Sequence, residues 1–204
     1  MMVGQKVGFK ELESRKVLTF NDPIAVVDQR IVDSGVPVSI SAGNLRVLES
    51  FNSQVPSVAT GAISVGSADS SLNVTAIQNS TNTRPTILNP ANTLTGGYIS
   101  FFSSWGPSSE GDLKPQIVAP GRDILSTYPI SLESYSILPG TAMAAPYIAG
   151  VIALLKQVRG SSISPDLVAS LLTTGATPVE YQDFWNNDTF QYLAPAIQQG
   201  GERA

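Results

Sequence analysis

The residue types that usually carry hydrolytic chemistry are unevenly represented, because the sequence has no histidine and no cysteine. Without cysteine there is no thiol nucleophile, no disulfide and no thiolate ligand for zinc. Without histidine the chain lacks the usual general base near neutral pH and the commonest metal ligand. Hydrolysis by this chain would need a base from elsewhere, and we expect neither a metal nor a cofactor.

A second chemical feature is the loop at residues 140–146, which leads directly into an apolar run that reaches Val158. Such a loop places its residues at a helix N-terminus, where free N–H groups and the helix dipole favour negative charge. Position 142 in this loop is an alanine, and a methyl group cannot attack a carbonyl. Taken alone, the pattern is also that of a capped core helix.

The elements that must position these residues alternate between helix and strand. Helices are predicted from Asp22-Pro23 to about residue 32, over residues 141–158, and from Ser164-Pro165 to about residue 173. Strands are predicted at residues 36–41, 62–66, 98–102 and 115–119, and a loop at residues 70–97. Interleaved strands and helices favour an α/β fold with a mainly parallel sheet.

Composition bounds the class of protein. The 204 residues are 42% apolar and 14% charged, which suits one domain with a real core. A net charge of -4 gives no basic surface for nucleic acid, and the absence of an apolar stretch of about 18 residues predicts no membrane span. Residues 1–20 resemble no secretory signal, whereas sequons at Asn73, Asn79 and Asn187 would suit glycosylation of a secreted protein, so the compartment stays open.

Several pieces of the chain resemble the subtilisin-like serine proteases, the subtilases. Residues 140–146, GTAMAAP, resemble the family's nucleophile motif G-T-S-M-A-x-P, and residues 41–44, SAGN, resemble its A-A-G-N. Residues 102–107, 114–121 and 193–201 resemble F-S-S-x-G-P, K-P-D-I-x-A-P-G and the segment that closes the domain in large fungal and bacterial members. The resemblance implies a three-layer α/β fold, of which this chain would hold the C-terminal part of the catalytic domain.

The resemblance also implies a domain organisation. Residues 1–21 are predicted as a segment outside the family, 22–201 as a partial catalytic domain and 202–204 as a tail. The loop at 70–97 lies where large members often carry a protease-associated domain, and it is too short to be one. The family's Asp and His modules lie upstream of the helix at residue 22, so this half of the fold is predicted to be missing. Asp33 lies in a D-S-G sequence only ten residues before Gly43, and we interpret it as the end of a helix.

Individual roles follow from the same resemblance. Asn44 would donate a hydrogen bond to a developing oxyanion, and Ala142 stands at the position of the nucleophilic serine. Residues that would contact substrate are Ala42, Gly43, Gly140 and Thr141. Since the nucleophile and the histidine are both absent, we predict a catalytically inactive pseudoprotease that serves as a binding or scaffold module for a polypeptide.

The alternative is a fragment of a serine endopeptidase whose Asp and His lie in a missing part or in another chain, or a fragment with no selected function. Loss of the upstream strands would leave an apolar sheet edge beside Val38, and an exposed edge of this kind promotes association. We therefore expect a complementing protease half, or another partner, to cover that edge, and poor solubility in its absence.

Overall fold

The structure is a computed structural model of the chain. It describes residues 22–45, 51, 53–71, 75–77, 86–88, 91–160, 162–183 and 189–201.

Helix α1, Pro23–Asp33, begins and ends as the sequence predicts. The Asp22 carboxylate accepts hydrogen bonds from the main-chain N–H groups of Ile24 and Ala25, at 2.8 and 3.4 Å, and so satisfies two donors that lack a partner within the helix. The chain leaves the helix through Ser34 and Gly35, and Gly35 has a φ of +90° that a residue with a side chain rarely adopts.

Three parallel strands form the main sheet. They are β1, Ser39–Ser41, β2, Ile63–Ala68, and β5, Ile117–Pro120, in the order β1-β2-β5. Ser39 is opposite Ile63 and Val65 is opposite Ile117. The predicted α/β fold with a parallel sheet is therefore confirmed.

Helices cover both faces of this sheet. On one face lies α2, Thr141–Arg159, whose Ile148 and Ile152 join a core with Val65 and Ile117. Burying an isoleucine side chain of this kind stabilises the fold by about 1.5–3 kcal/mol. Helix α3, Pro165–Gly175, begins at the N-cap Ser164 and adds two more side chains to the same core. On the other face Ala25 of α1 packs in a smaller cluster, whose remaining members are Ile40, Val55, Val58, Ala59 and Ala62.

Three antiparallel pairs surround this framework, and the sequence reading anticipated none of them. They are β3, Thr75–Ile77, with β4, Thr86–Leu88; β6, Ile124–Thr127, with β7, Tyr135–Leu138; and β8, Glu180–Gln182, with β9, Thr189–Leu193. A 3-10 turn, Ile130–Leu132, joins β6 to β7, and the short helix α4, Ala196–Gln199, follows β9. The described part of the segment predicted as a loop, residues 70–97, thus contains a strand pair.

The predicted strand at residues 98–102 is wrong. Ile99 forms a single antiparallel bridge with Ala68, and the chain then turns, with the N–H of Ser103 donating to the Ser100 carbonyl at 3.0 Å. The side chains of Ser100 and Ser103 bond to groups at the end of β2 instead of continuing a strand ladder. Phe101 and Phe102 are apolar and therefore favoured a strand in the prediction. In the structure they lie in this turn, with their rings in edge-on contact.

One strand edge and several apolar side chains are uncovered in the part of the chain that the structure describes. No described strand pairs with the outer edge of β1. Ile24 and Val27 of α1 are 58% and 50% exposed, and Leu154 and Val158 of α2 are 62% and 81% exposed. Helix α2 is long and apolar enough to cross a membrane, contrary to the expectation from the sequence. In the structure it packs against all three strands of the sheet.

Candidate functional site

Asn44 and Thr141 join the two halves of the candidate site. The side-chain oxygen of Asn44, which lies just beyond β1, accepts hydrogen bonds from the main-chain N–H and the hydroxyl of Thr141, each at 3.0 Å. Thr141 is the first residue of α2 and is 1% exposed, whereas Asn44 is exposed. The contact fixes the orientation of the carboxamide and leaves its NH₂ group as the donor available to a ligand.

Two further groups hold the chain on either side of Asn44. The N–H of Gly43 donates to the Thr141 hydroxyl at 3.1 Å, and the Gly43 carbonyl accepts from the N–H of Ser104 at 2.9 Å. The Ser104 hydroxyl accepts in turn from the N–H of Leu45 at 3.0 Å. Because the N–H and carbonyl of Gly43 and the N–H of Leu45 are bonded, Asn44 is held before any ligand arrives.

Ala142 lies in the first turn of α2, with its methyl group exposed. The first N–H groups of a helix have no partner within it, and together with the helix dipole they attract negative charge. Gly140 precedes this turn with φ and ψ both at 154°. A Cβ atom at Gly140 would lie 3.3 Å from the Asn44 amide nitrogen, so that nitrogen faces the residues that begin the helix. The arrangement can offer hydrogen-bond donors to a carbonyl or anionic oxygen next to Ala142.

The main-chain groups of Ala42 and Gly43 are already engaged. The Ala42 carbonyl accepts from the N–H of Gln54 at 2.9 Å, and Ala42 itself is fully buried. The Gln54 side chain covers Gly43 closely, since a Cβ there would meet it at 2.6 Å. A peptide that used this wall would therefore first have to displace Gln54.

Neither a substitute nucleophile nor a partner acid is present next to Ala142 among the described residues. The adjacent hydroxyl, that of Thr141, is buried and bonded to Asn44 and Gly43. Asp33 is the last residue of α1 and accepts from the Gln29 side chain at 2.8 Å, as expected for a helix end. No group of three acidic residues within the described ranges could hold a metal ion.

Buried polar residues behind the site were not identified from the sequence. Asp69, Ser67 and Ser100 form a hydrogen-bonded chain at the end of β2. Lys114 is 1% exposed, and its ammonium group donates to the carbonyls of Ala59 and Ala62 at 2.8 and 2.9 Å. Burial lowers the pKa of Lys114 to about 8, against the opposing effect of nearby Asp112 and Glu110. The buried serines could have been found from the sequence, because they lie in otherwise apolar segments.

The remaining predicted sites fall elsewhere. Asn73, Asn79 and Asn187, the glycosylation candidates, lie outside the described residues. A cavity of about 590 Å³ lies beside β5, between α2 and α3, and none of the predicted site residues lines it.

Comparisons with known proteins bear on this geometry. A family model described as "Subtilase family" matches residues 11–194. Pyrolysin of Pyrococcus furiosus is 36% identical over 171 residues, which cover 78% of this chain and 12% of pyrolysin. The self-cleaved protease domain of PatA has a TM-score of 0.52 at 25% identity, over 75% of this chain and 46% of that one. The PatG macrocyclase in complex with peptide has a TM-score of 0.51 at 25% identity, over 76% and 38%. The chain thus spans less than half of each of these relatives.

Proposed function

The chain belongs to the subtilase family, and on that basis we propose that it is a non-catalytic member that binds extended polypeptide at the Asn44 and Ala142 site. Its motifs, its parallel sheet and its fold likeness agree on the family.

The orientation of Asn44 carries the proposal. Thr141 holds the carboxamide oxygen, so the NH₂ group faces Gly140 and the start of α2. A peptide carbonyl placed beside Ala142 would accept from this NH₂ group and from the N–H of Ala142, because the N–H groups of Thr141 and Met143 are already bonded. The site would thereby retain the donors that recognise a carbonyl, although its residue 142 is an alanine.

The same residues argue against covalent chemistry. Acyl transfer needs a nucleophile next to the carbonyl carbon and a base to accept its proton. Ala142 offers a methyl group, and the sequence contains no histidine to serve as the base. A bound peptide would therefore stay uncleaved. The similar PatG macrocyclase has a peptide in its structure, which supports polypeptide as the ligand class.

The second candidate is one part of a serine endopeptidase that works with Asp and His from elsewhere. Three uncovered surfaces favour it: the outer edge of β1, the apolar side of α1 at Ile24 and Val27, and the apolar side of α2 at Leu154 and Val158. A protease half that added a strand to β1 would cover the first of these surfaces. Ala142 still opposes activity in such an assembly.

Activity measurements separate the two candidates. The chain and its Ala142→Ser variant are each mixed with the Asp- and His-bearing half of a subtilase, then tested for casein hydrolysis and fluorophosphonate labelling. We expect no labelling of the unmodified chain, with or without that half. Labelling of the unmodified chain would overturn the non-catalytic proposal. Activity confined to Ala142→Ser with the half would support a complementing assembly.

Binding is tested separately with fluorescein-labelled, unfolded casein by fluorescence anisotropy. Asn44→Asp keeps the shape of the side chain but replaces its NH₂ donor with an acceptor, and we expect it to weaken binding about tenfold. Asn92→Asp makes the same chemical change in a turn that holds Thr95, and it should bind as the unmodified chain does. Equal binding by all three proteins would contradict the proposed site.

A further inference from the structure

A chain of three buried polar side chains, joined to the half-buried Arg122, ends directly behind the candidate site. Asp69 is 4% exposed, and one of its oxygens accepts from Arg122 at 2.8 Å. Its other oxygen accepts from the Ser100 hydroxyl at 2.6 Å, and the hydroxyls of Ser100 and Ser67 are 2.8 Å apart. Both serines are fully buried.

The direction of these hydrogen bonds is fixed by the number of protons. A hydroxyl has one proton to donate, and Ser100 gives its proton to Asp69. Ser67 must therefore be the donor in its contact with Ser100. The chain runs from Ser67 through Ser100 to the Asp69 carboxylate, whose charge is paired with Arg122. A buried network in which every member is satisfied in this way is rigid.

Gly121 is the point at which the network meets the site. A Cβ atom at Gly121 would lie 2.5 Å from the Ser67 hydroxyl and 2.8 Å from the Gly140 carbonyl, so these groups enclose it closely. The N–H of Gly121 donates to the Ala68 carbonyl at 3.0 Å. Its own carbonyl accepts from the N–H of Gly140 at 2.7 Å.

The network residues hold Gly121 through its neighbours along the chain as well. Arg122 follows Gly121 directly, and its guanidinium group is anchored on Asp69 while lying over the Phe101 ring at 5.6 Å from the centroid. Gly121 is thus fixed by Ser67 on one side and by the adjacent Arg122 on the other. Gly140, which it binds, is the residue immediately before Thr141.

We propose that Arg122, Asp69, Ser100 and Ser67 are positioning residues, which hold Gly121 and through it the turn at Gly140 that places Thr141 against Asn44. None of the four touches the site itself. The functional meaning of this placement rests on the proposed peptide-binding function, but the placement can be measured without a ligand.

The test compares the full chain with its Asp69→Asn and Ser100→Ala variants by amide hydrogen exchange and NMR. Asp69→Asn keeps the shape of the side chain and removes the charge that Arg122 pairs with, whereas Ser100→Ala cuts the chain of hydroxyls. We expect exchange at the Gly140 N–H to rise about tenfold in both, and the side-chain amide resonances of Asn44 to shift. The N–H groups of Gly160, which follows the end of α2, and of Val168 in α3 bond within their own helices and should keep their exchange rates.

A matched control removes another buried serine. Ser108 is 1% exposed, and its hydroxyl accepts from the N–H groups of Glu110 and Asp112 in a different turn. Ser108→Ala should leave Gly140 and Asn44 unchanged. Unchanged exchange at Gly140 in both network variants, or an equal rise at Gly140, Gly160 and Val168, would overturn the proposal. Failure of casein binding would bear on the proposed function alone, because the exchange measurement involves no ligand.

Discussion

The carboxamide oxygen of Asn44 accepts two hydrogen bonds from a single residue, Thr141, which lies 97 positions further along the chain. One comes from the main chain and one from the hydroxyl, so the orientation of Asn44 depends on both the start of α2 and the identity of its first side chain. The Thr141 hydroxyl also accepts a hydrogen bond from the N–H of Gly43, so it accepts from one residue beside the site and donates to the other.

Replacing Thr141 with valine tests this link, because valine keeps the shape of threonine and removes the hydroxyl. We expect Thr141→Val to lower the free energy of unfolding by about 1–3 kcal/mol, since the buried N–H of Gly43 loses its acceptor. The side-chain amide resonances of Asn44 should broaden or shift. Urea unfolding and NMR provide the two measurements.

Thr174→Val is the control for that substitution. Thr174 is exposed on α3, and its hydroxyl donates to the Ser170 carbonyl within the same helix. We expect a change of less than about 0.5 kcal/mol and an unchanged Asn44 spectrum. Equal effects of the two variants would mean that the Thr141 hydroxyl does not orient Asn44.

Ser104 holds the other side of Asn44, and Ser104→Ala removes the acceptor of the Leu45 N–H. We expect a loss of about 1 kcal/mol in the free energy of unfolding and faster amide exchange at Leu45. Ser164→Ala removes a similar acceptor, the N-cap of α3 that accepts from Leu167, at a similar cost. Only Ser104→Ala should change exchange at Leu45, and slow exchange there in both variants would refute the role of Ser104.

Lys114 makes stability depend on pH. Its pKa is lowered to about 8 in the folded chain from the ordinary value of 10.5, so the unfolded chain binds more protons between these limits. Stability from this group therefore rises with pH from about 8 to 10.5, and near neutral pH the buried charge costs about 3 kcal/mol. The neutral amine keeps two N–H donors for the carbonyls of Ala59 and Ala62.

The measurement compares the free energy of unfolding of the unmodified chain and Lys114→Met from pH 7 to 10. Over this range the free energy of unfolding of the unmodified chain should rise by about 2 kcal/mol relative to that of the variant, because of the same pKa shift. Lys156→Met, at the other lysine within the described residues, controls for the loss of a lysine side chain. A difference between the unmodified chain and Lys114→Met that stays constant with pH would show that Lys114 stays charged without penalty.

The uncovered side of α2 predicts association of the isolated chain. Leu154 and Val158 are one helical turn apart and mostly exposed, and exposed apolar patches promote association. The double variant Leu154→Gln and Val158→Lys should raise the monomer fraction in sedimentation velocity without lowering the unfolding midpoint. Gln157→Lys, on the same helix, should leave association unchanged. Association that is the same in all three proteins would place the contact surface elsewhere.

The sequence predicted the three long helices and the three parallel strands because each has a strong local signal. Asp22-Pro23 and Ser164-Pro165 cap their helices with their own side chains, as the structure confirms. The antiparallel pairs were missed because their strands of three to five residues show no period and most of them, unlike the equally short β1 and β5, do not adjoin a recognised family motif. The strand predicted at residues 98–102 failed because Ser100 takes its partners from β2 and Asp69, and no local pattern reports such contacts.

Family motifs pointed to Asn44 and position 142 as candidates, but the motifs could not explain how Asn44 is held. That depends on Thr141, which bonds Asn44 from 97 positions away, and on Ser104, which bonds the residues on either side of it. The role of Gln54 was also beyond the sequence, since its closeness to Gly43 follows from the turn that leads back to Ala42. Both relationships arise from packing of segments that are distant along the chain.

The order of the core elements along the chain has a consequence for synthesis. The apolar face formed by Ile63, Val65 and Ile117 is complete once β5 has been made, but its cover comes from Ile148 and Ile152 of α2. A ribosome must therefore add some thirty residues, including the whole β6–β7 pair, before this face can be buried. During that interval the nascent sheet presents an open apolar surface to chaperones, and Asn44 has no Thr141 to hold it.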